Sequence, residues 1–225
     1  MNISVVIPTK NEEKTVGEVI EGVKPFADEI LVVDGHSTDK TRDIAKSYGV
    51  WVTLDNGKGK GDAIRLGVKE ATGDVLVFID ADGSHDPRDI PKLIGPILED
   101  QADHVGGSRM LGGSEELFGK LELFARQAGN AVITIGINWV CKVHITDSQN
   151  GFRAIRRDVA LGLELQENMA TIEEEMIIKT LRRGYRYVEV PTHEFRRKHG
   201  DSKINIWRDG YRFVYAWLKY LFFVK

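Results

Sequence analysis

Two aspartates that follow an apolar run are the clearest chemical feature of the sequence. Val75–Ile79 has the composition of a buried strand, and Asp80 and Asp82 come directly after it, separated by one residue. Carboxylates placed in this way can share a hard, oxygen-preferring cation such as Mg²⁺ or Mn²⁺, which in turn neutralises a diphosphate. The same pattern also suits a turn or a helix cap, so the position of the pair in the fold has to decide between the two interpretations.

The elements that position this pair follow from the hydrophobic pattern. Short β-branched runs alternate with amphipathic stretches through the first half of the chain, as in successive βαβ units. The strand-like runs are Ile3–Ile7, Glu29–Val33, Val50–Thr53 and Asp74–Ile79, and the helical stretches are Glu13–Val23, Asp39–Tyr48, Gly61–Ala71 and Pro87–Leu98. We therefore predict an α/β fold with an open, mostly parallel sheet flanked by helices. Such sheets bind ligands beyond the carboxyl ends of their strands, which is where Asp80 and Asp82 lie.

The second half of the chain loses this alternation and becomes rich in glycine after Asp103–Gly106. The elements predicted beyond that point are a long helix from about Lys120 to Trp139, a strand near Gly151–Ile155, a helix near Ile172–Arg182 and a strand near Arg186–Val190. We predict a single domain over residues 1–205, followed by an amphipathic C-terminal helix over residues 206–225.

The C-terminal helix combines an aromatic stripe with basic residues that lie largely off it. The stripe consists of Trp207, Tyr211, Val214, Tyr215, Leu218, Leu221 and Phe222. A helix of this kind can lie in a membrane interface. It can equally pack its apolar face on the core of its own protein or on a partner subunit, and the sequence leaves both alternatives open.

Composition and charge exclude several classes of protein. The chain has 225 residues, of which 42% are hydrophobic and 29% charged, and no uncharged apolar run of about 18 residues that could span a bilayer. The N-terminal residues lack the basic region of a signal peptide, so a cytoplasmic location is expected. Cys141 is the only cysteine, which excludes an internal disulfide. A net charge of −3 gives no reason to expect a nucleic-acid partner.

Motifs that occur in order along the first half of the chain resemble the nucleotide-binding half of family 2 glycosyltransferases, which have the GT-A fold. They are Val5-Val6-Ile7-Pro8-Thr9-Lys10-Asn11-Glu12, then Val32-Val33-Asp34-Gly35-His36-Ser37-Thr38-Asp39, then Gly73-Asp74 leading into the Asp80 pair. The resemblance implies that Pro8, Glu12 and Asp34 bind the nucleotide of a nucleotide-sugar donor. It also implies that Asp80 and Asp82 hold Mg²⁺ or Mn²⁺ together with the donor diphosphate, and that Lys60 contacts the nucleotide.

The second half of the chain looks like dolichol-phosphate mannose synthases and related polyprenyl-phosphate sugar transferases. The matching segments are Gly107-Ser108-Arg109, Thr146-Asp147, Gly151-Phe152-Arg153, Glu175-Met176, Val190-Pro191 and Arg197 followed by Gly200-Asp201-Ser202-Lys203. The resemblance implies a polyprenyl phosphate acceptor whose phosphate contacts Arg109 and Arg197, with Ser202 and Lys203 assisting. Asp82, Arg109 and Arg197 are the predicted catalytic residues.

This acceptor determines what chemistry the protein has to supply. A lipid phosphate is already an anionic nucleophile, so the site has to hold two negative groups together rather than remove a proton. We expect an inverting transfer of a hexose, with mannose favoured, and a UDP-glucose-dependent transfer as an alternative. If the acceptor were a sugar hydroxyl, Glu174 or Glu175 would be the candidate general base. A non-catalytic nucleotide-sugar binder and a nucleotidyltransferase remain further alternatives.

The sequence departs from the family pattern in four respects. Gly35 stands where a second aspartate is common, and Lys10 stands where an aromatic residue is common. Both changes bear on which nucleobase is bound. Ser84 and His85 follow the aspartate pair where a glutamine is frequent, so no third metal ligand is assigned. An additional family arginine has no secure counterpart here, and either Arg126 or Lys120 is the nearest basic residue.

Overall fold

The computed structural model describes residues 1–115, 121–197, 199 and 206–223, and the side chains of 121–126 and 206–209 lie outside this description. The strands are β1 (Ile3–Thr9), β2 (Glu29–Asp34), β3 (Trp51–Leu54), β4 (Val75–Phe78), β5 (His104–Ser108), β6 (Arg153–Arg156) and β7 (Tyr187–Pro191). The helices are α1 (Val16–Val23), α2 (Thr41–Ser47), α3 (Lys60–Glu70), α4 (Ile90–Leu98), α5 (Arg109–Gly112), α6 (Leu121–Cys141), α7 (Arg157–Gly162), α8 (Ile172–Arg182) and α9 (Ile206–Leu218), which continues as a π-helical turn over Lys219–Phe223.

The strands of the described chain form a seven-stranded sheet in the order β3-β2-β1-β4-β6-β5-β7. β1 pairs in parallel with β2 and with β4, β2 with β3, and β5 with β7, whereas β6 runs antiparallel to both β4 and β5. The predicted open, mostly parallel sheet is therefore confirmed. Because β1 to β4 all run in the same direction, the polar segments that follow them meet along one edge.

The central strands are buried on both faces by helices. Val5 and Ile7 pack on one side with α1 and α4, whereas Val6 packs on the other side with α3, α7 and α8. Successive side chains of a strand point to opposite faces, so the near-continuous apolar runs predicted from the sequence fill two separate cores. Gly67 allows α3 to approach β1 closely, because a Cβ at that position would lie 2.5 Å from a methyl group of Val6.

β5 and α7 are elements that the sequence pattern did not predict. β5 contains Gly106 and Gly107, and glycine is depleted in strands, which hides its strand character. Both glycines lie where neighbouring side chains cross the strand. A Cβ at position 106 would collide with the Tyr187 hydroxyl, and one at position 107 would lie 2.5 Å from Thr192 Oγ1. β5 is fully buried and joins β6 to β7, so it is a structural strand despite its composition.

The C-terminal helix packs on the protein through a different face from the predicted stripe. Phe213, Ala216, Trp217 and Tyr220 contact a third apolar cluster formed with α6 and α8. Most of the predicted stripe is exposed instead, namely Tyr211, Val214, Tyr215, Leu218 and Phe222, while Leu221 is buried and the side chain of Trp207 lies outside the description. α9 is thus apolar on more than one face. No helix of the described residues is long and apolar enough to cross a bilayer.

We predict that Gly67→Ala lowers the free energy of unfolding by about 1–3 kcal/mol, because the new methyl group overpacks the contact between α3 and Val6. Gly95→Ala is the matched control, since it adds a methyl group to a helix where nothing lies within 4 Å. That control should be neutral or stabilising by up to about 1 kcal/mol. Urea unfolding followed by circular dichroism measures both, and equal stability of the two variants would contradict the packing argument.

Candidate active site

A cavity of about 770 Å³ lies at the edge of the sheet where β1 to β4 end. One end is lined by residues that follow the strands and by the start of α3, and the other end by α6 and α9. The charged lining residues are Lys10, Glu12, Asp55, Lys60, Asp80, Asp82, Arg109, Glu173, Glu194, Arg197 and Arg212. The strand ends and the start of α3 therefore supply most of the charged lining, whereas the larger apolar side chains from α6 and α9 are Val132, Ile133, Phe213, Val214 and Trp217.

Asp80 and Asp82 both line this cavity, as predicted, and each has a cation beside it. Lys60 Nζ lies 2.7 Å from Asp80 Oδ1 and 2.9 Å from Glu173 Oε1. Arg197 Nη2 lies 3.0 Å from Asp82 Oδ2, and the other oxygen of Asp82 accepts hydrogen bonds from the backbone and hydroxyl of Ser84. The loop thus fixes Asp82 in place through its own backbone, while the cations balance the charge of both carboxylates.

The electrostatics of Asp80 keep its carboxylate charged. Burial alone would raise the pKa of Asp80, but the Lys60 ammonium outweighs it, and the pKa falls to about 2. His85 Nε2 lies 4.0 Å from Asp80 Oδ2, and its ring packs on Phe152 with 5.1 Å between centroids. Burial lowers the pKa of His85, so the imidazole is neutral at physiological pH.

The donor set of the aspartate pair fits a divalent cation that is shared with a ligand. Among the described residues, no three His, Cys, Asp or Glu side chains are grouped to hold a metal by themselves. Mg²⁺ is usually bound by one or two carboxylates together with phosphate oxygens and water, so Asp80 and Asp82 are sufficient on the protein side. The cations that already neighbour both carboxylates show that this corner of the cavity attracts positive charge.

Arg109 lines the cavity, but its guanidinium is held by two acidic partners. Nε and Nη2 bind the two oxygens of Asp147 at 2.6 and 2.9 Å, and Nη1 lies 3.2 Å from Glu194 Oε1. Burial opposes the charge of Arg109, but Asp147 outweighs burial and raises the pKa of the guanidinium. A bidentate, buried pair of this kind fixes the end of β5 against the loop before β6. The predicted contact between Arg109 and an acceptor phosphate stays a prediction.

The nucleotide-side predictions divide into two groups. Pro8, Glu12 and Lys60 line the cavity, as expected. Asp34 does not line it, because its carboxylate is fully buried and accepts hydrogen bonds from the backbone and the hydroxyl of Ser37 at 2.8 and 2.5 Å. In this structure Asp34 orders the loop that follows β2, so its predicted contact with the nucleoside has no support from the geometry.

The acidic cluster at the start of α8 also differs from expectation. Neither Glu174 nor Glu175, the candidate bases, lines the cavity, whereas Glu173 does. Glu175 is buried, lies 2.7 Å from Lys179 and accepts backbone hydrogen bonds, which is a structural role. Burial raises the pKa of Glu174 well above its ordinary value.

Several predicted basic and polar residues fall outside the part of the chain that the structure describes. In addition, the sequence analysis missed several residues that line the cavity. Ser202, Lys203 and Lys120 lie outside the described residues, as does the side chain of Arg126. Sequence reasoning did not single out Asp55, Glu173 or Glu194 as lining residues. Asp55 carried one usable signal, since it lies two residues after the predicted strand Val50–Thr53. Glu173 and Glu194 are identified only by their contacts with Lys60 and Arg109.

Comparisons with known proteins agree with this geometry. The family model for glycosyl transferase family 2 matches residues 4–162. The chain is 31% identical over 212 residues to glycosyltransferase AglJ of Haloferax volcanii, covering 92% of this chain and 68% of that protein. It is 33% identical over 214 residues to dolichol-phosphate mannosyltransferase of Pyrococcus furiosus, covering 91% of this chain and 59% of that protein.

A solved structure confirms the predicted GT-A fold. Glucosyl-3-phosphoglycerate synthase from Mycobacterium tuberculosis, in complex with Mn²⁺, uridine diphosphate and phosphoglyceric acid, superposes with a TM-score of 0.78 at 22% identity. The match covers 100% of this chain and 80% of that one. The family model spans β1 to β6, which includes the aspartate pair and the strand ends that line the cavity. The chain is therefore a glycosyltransferase and belongs to glycosyl transferase family 2.

Proposed function

We propose that the protein moves a hexose, with mannose favoured, from a nucleoside diphosphate sugar to a polyprenyl phosphate. The observation that carries this proposal is the pairing of two chemically different ends in one cavity. Asp80 and Asp82 form the end suited to a diphosphate, and apolar residues of α6 and α9 form the end suited to a lipid. The Pyrococcus furiosus relative, named for transfer to dolichol phosphate, supports the same acceptor class.

The donor end is proposed to work with a divalent cation. When bound, Mg²⁺ or Mn²⁺ would be held by Asp80 and Asp82 and would neutralise charge on the leaving diphosphate. The structural neighbour solved with Mn²⁺ and uridine diphosphate supports this role. Lys60, which in this structure bridges Asp80 and Glu173, would then release Asp80 and contact a donor phosphate.

The acceptor end is proposed to position an anion rather than to remove a proton. Two of the carboxylates that line the cavity are already held by cations, Glu173 by Lys60 and Glu194 by Arg109, which disfavours either as a general base. Arg197 would bring the acceptor phosphate to the anomeric carbon. A phosphate oxygen then forms the new bond to that carbon while the bond to the nucleoside diphosphate breaks, and this single displacement inverts its configuration.

The direct test is the transfer of radiolabelled sugar from GDP-mannose or UDP-glucose into organic-extractable polyprenyl phosphate. We expect metal-dependent label in the lipid phase, and a loss of about 10²–10³-fold in Asp80→Asn and Asp82→Asn because charge on the leaving group is no longer balanced. Asp86→Asn is the matched control, since Asp86 lies in the same loop but outside the cavity lining and pairs with Arg88.

The proposal fails in distinguishable ways. Label that appears only in water-soluble 3-phosphoglycerate would replace the lipid acceptor with a small anionic one. Label that appears only on a sugar hydroxyl would require a general base, and neither Glu174 nor Glu175 lines this cavity. Full lipid transfer by both aspartate variants would contradict the proposed metal site.

A second prediction concerns the competition between Lys60 and the metal. Lys60→Met removes the ammonium that lies 2.7 Å from Asp80, so Mn²⁺ alone should bind this variant about tenfold more tightly. A nucleoside diphosphate should raise the Mn²⁺ affinity of this variant by a smaller factor than that of the wild type, because no ammonium remains for the diphosphate to draw away from Asp80. Electron paramagnetic resonance of free Mn²⁺ measures both, with the exposed Lys58→Met as control. Unchanged Mn²⁺ affinity in Lys60→Met would contradict the competition.

The proposed acceptor also assigns a role to an exposed apolar surface on α6 and α9. We define this lipid-facing surface by its exposed residues, which are Val132, Ile135, Trp139, Tyr211, Val214, Tyr215, Leu218, Phe222 and Phe223. Val132 and Val214 belong both to this surface and to the cavity lining, so the two are continuous. Aromatic residues on an amphipathic helix favour the interface of a bilayer, which supports peripheral membrane contact at this surface.

We predict that Trp139→Glu combined with Phe223→Glu reduces binding to vesicles of phosphatidylcholine and phosphatidylglycerol by about tenfold or more, because both side chains are about four-fifths exposed, at 79% and 83%. Co-sedimentation measures the bound fraction. Trp51→Glu, at an exposed tryptophan on β3, is the matched control and should bind like the wild type. Transfer to a short, water-soluble prenyl phosphate should persist in the double variant, and unchanged vesicle binding would rule out this surface.

A further inference from the structure

A loop outside the sheet connects the C-terminal helix to the start of α3. This loop, residues 163–171, lies between α7 and α8. Met169 and Thr171, near its end, line the cavity together with Lys60. Glu167, in its middle, lies outside the cavity lining. Any effect of Glu167 on a bound donor therefore has to act through the loop.

The loop packs directly on the first turn of α3. The backbone N–H of Gly61 donates to the Asn168 carbonyl at 2.9 Å. A Cβ at Gly59 would lie 2.8 Å from the same carbonyl oxygen, and one at Gly61 would lie 2.5 Å from the Glu167 carbonyl oxygen. The two glycines flank Lys60 in the sequence and let the backbones of the loop and of α3 approach closely. The position of the loop therefore determines the position of the Lys60 backbone.

Glu167 ties this loop to the C-terminal turn, the π-helical residues Lys219–Phe223. Its Oε1 accepts hydrogen bonds from Lys219 Nζ at 2.9 Å and from the Tyr220 hydroxyl at 2.8 Å. Its Oε2 accepts a hydrogen bond from the Thr171 hydroxyl at 2.9 Å. Burial opposes the charge of Glu167, but the hydrogen bonds from Lys219 and Tyr220 outweigh burial and lower the pKa of the carboxyl. The carboxylate is therefore ionised and held by three donors.

The C-terminal turn is itself held by the core. Tyr220 is 1% exposed and packs in the apolar cluster that α6 and α8 form with α9. Arg182 of α8 donates to the carbonyl oxygens of Tyr220 and Leu221 at 2.8 and 3.0 Å. The groups that hold Glu167 therefore belong to a packed part of the molecule, and Glu167 transmits their position to the loop.

We infer that Glu167 is a positioning residue of the donor site: by tying residues 163–171 to the C-terminal turn, it fixes Lys60 and the contact of Lys60 with a donor phosphate. This inference rests on the proposed nucleotide-sugar donor. Lys60 lies 2.7 Å from Asp80 and 2.9 Å from Glu173, so a small displacement of the first turn of α3 changes which groups its ammonium reaches. A misplacement of about 1 Å caused far from the chemistry can cost about 10²-fold in rate.

Isothermal titration calorimetry with GDP and UDP in the presence of Mn²⁺ tests this inference. Glu167→Ala removes the acceptor of three hydrogen bonds, so the nucleotide that the wild type prefers should bind about tenfold more weakly. Glu167→Gln should stay within about threefold of the wild type, because its amide oxygen still accepts from the C-terminal turn while its NH₂ donates to the Thr171 hydroxyl. Glu164→Ala is the matched control, since it removes a carboxylate of the same loop that is 78% exposed.

A second variant breaks the same link from the other side. Lys219→Met leaves the Tyr220 hydroxyl on Glu167, so alone it should weaken nucleotide binding by a smaller factor than Glu167→Ala. Combined with Glu167→Ala it should cause no further loss, because both changes remove one interaction. Glu175 still accepts hydrogen bonds from the backbone N–H groups of residues 166 and 167 in every variant, which keeps the loop folded. Urea unfolding measures the stability of each variant separately.

The outcomes separate this inference from the function on which it rests. Wild-type nucleotide affinity in Glu167→Ala, with only a lower free energy of unfolding, would reduce Glu167 to a structural role and overturn the inference. Additive losses in the double variant would overturn it as well, because Lys219 and Glu167 would then act separately. An equal loss in Glu164→Ala would assign the effect to a general disturbance of the loop. A folded wild type that binds neither GDP nor UDP would overturn the proposed donor and the inference together.

Discussion

The burial of β1, β2 and β4 on both faces is the constraint on which the rest of the molecule depends. Helices cover both sides of these strands, so their middle residues are apolar and charged groups lie at or beyond the two ends of each strand. Parallel strands end along one edge, and Asp55, Asp80 and Asp82 line the cavity there. The same packing holds the loops after β1, β3 and β4 rigidly in relation to one another. A site made of short loops thereby gains the positional precision of the sheet.

The cavity is organised by ion pairs, some fixed and some able to exchange partners. Lys60 bridges Asp80 and Glu173, Arg197 neighbours Asp82, and Arg109 is held by Asp147 and Glu194. These pairs differ in burial. The Arg109–Asp147 pair is bidentate and Asp147 is fully buried, so removing Arg109 would leave a buried carboxylate without compensation and cost about 3–5 kcal/mol. Lys60 and Arg197 are about one quarter exposed, at 28% and 26%, and can change partners when a ligand brings its own charge.

Much of this organisation could be predicted from the sequence, and the exceptions share a physical cause. Apolar periodicity located β1 to β4 and α1 to α4, and the strand-end rule placed Asp80 and Asp82 correctly. β5 was missed because it contains Gly106 and Gly107, which are unusual in strands. These positions need glycine only because of contacts that form in the folded chain. Glu173 and Glu194 were missed because a carboxylate joins a site through tertiary contacts. Periodicity likewise showed that α9 is amphipathic, but it could not decide which of two apolar faces the core would bury.

The continuity of the cavity with the exposed surface of α6 and α9 has a kinetic consequence. Val132 and Val214 border both regions, so a molecule that enters past them comes from the side on which the surface faces outward. If a bilayer lies on that side, the protein binds the nucleotide sugar from bulk solution, where its volume concentration sets the rate of encounter. The protein binds the lipid phosphate from the plane of the membrane, where the mole fraction of that lipid sets the rate. Diluting the acceptor with inert lipid would then slow turnover even when the total amount of acceptor in the suspension is unchanged.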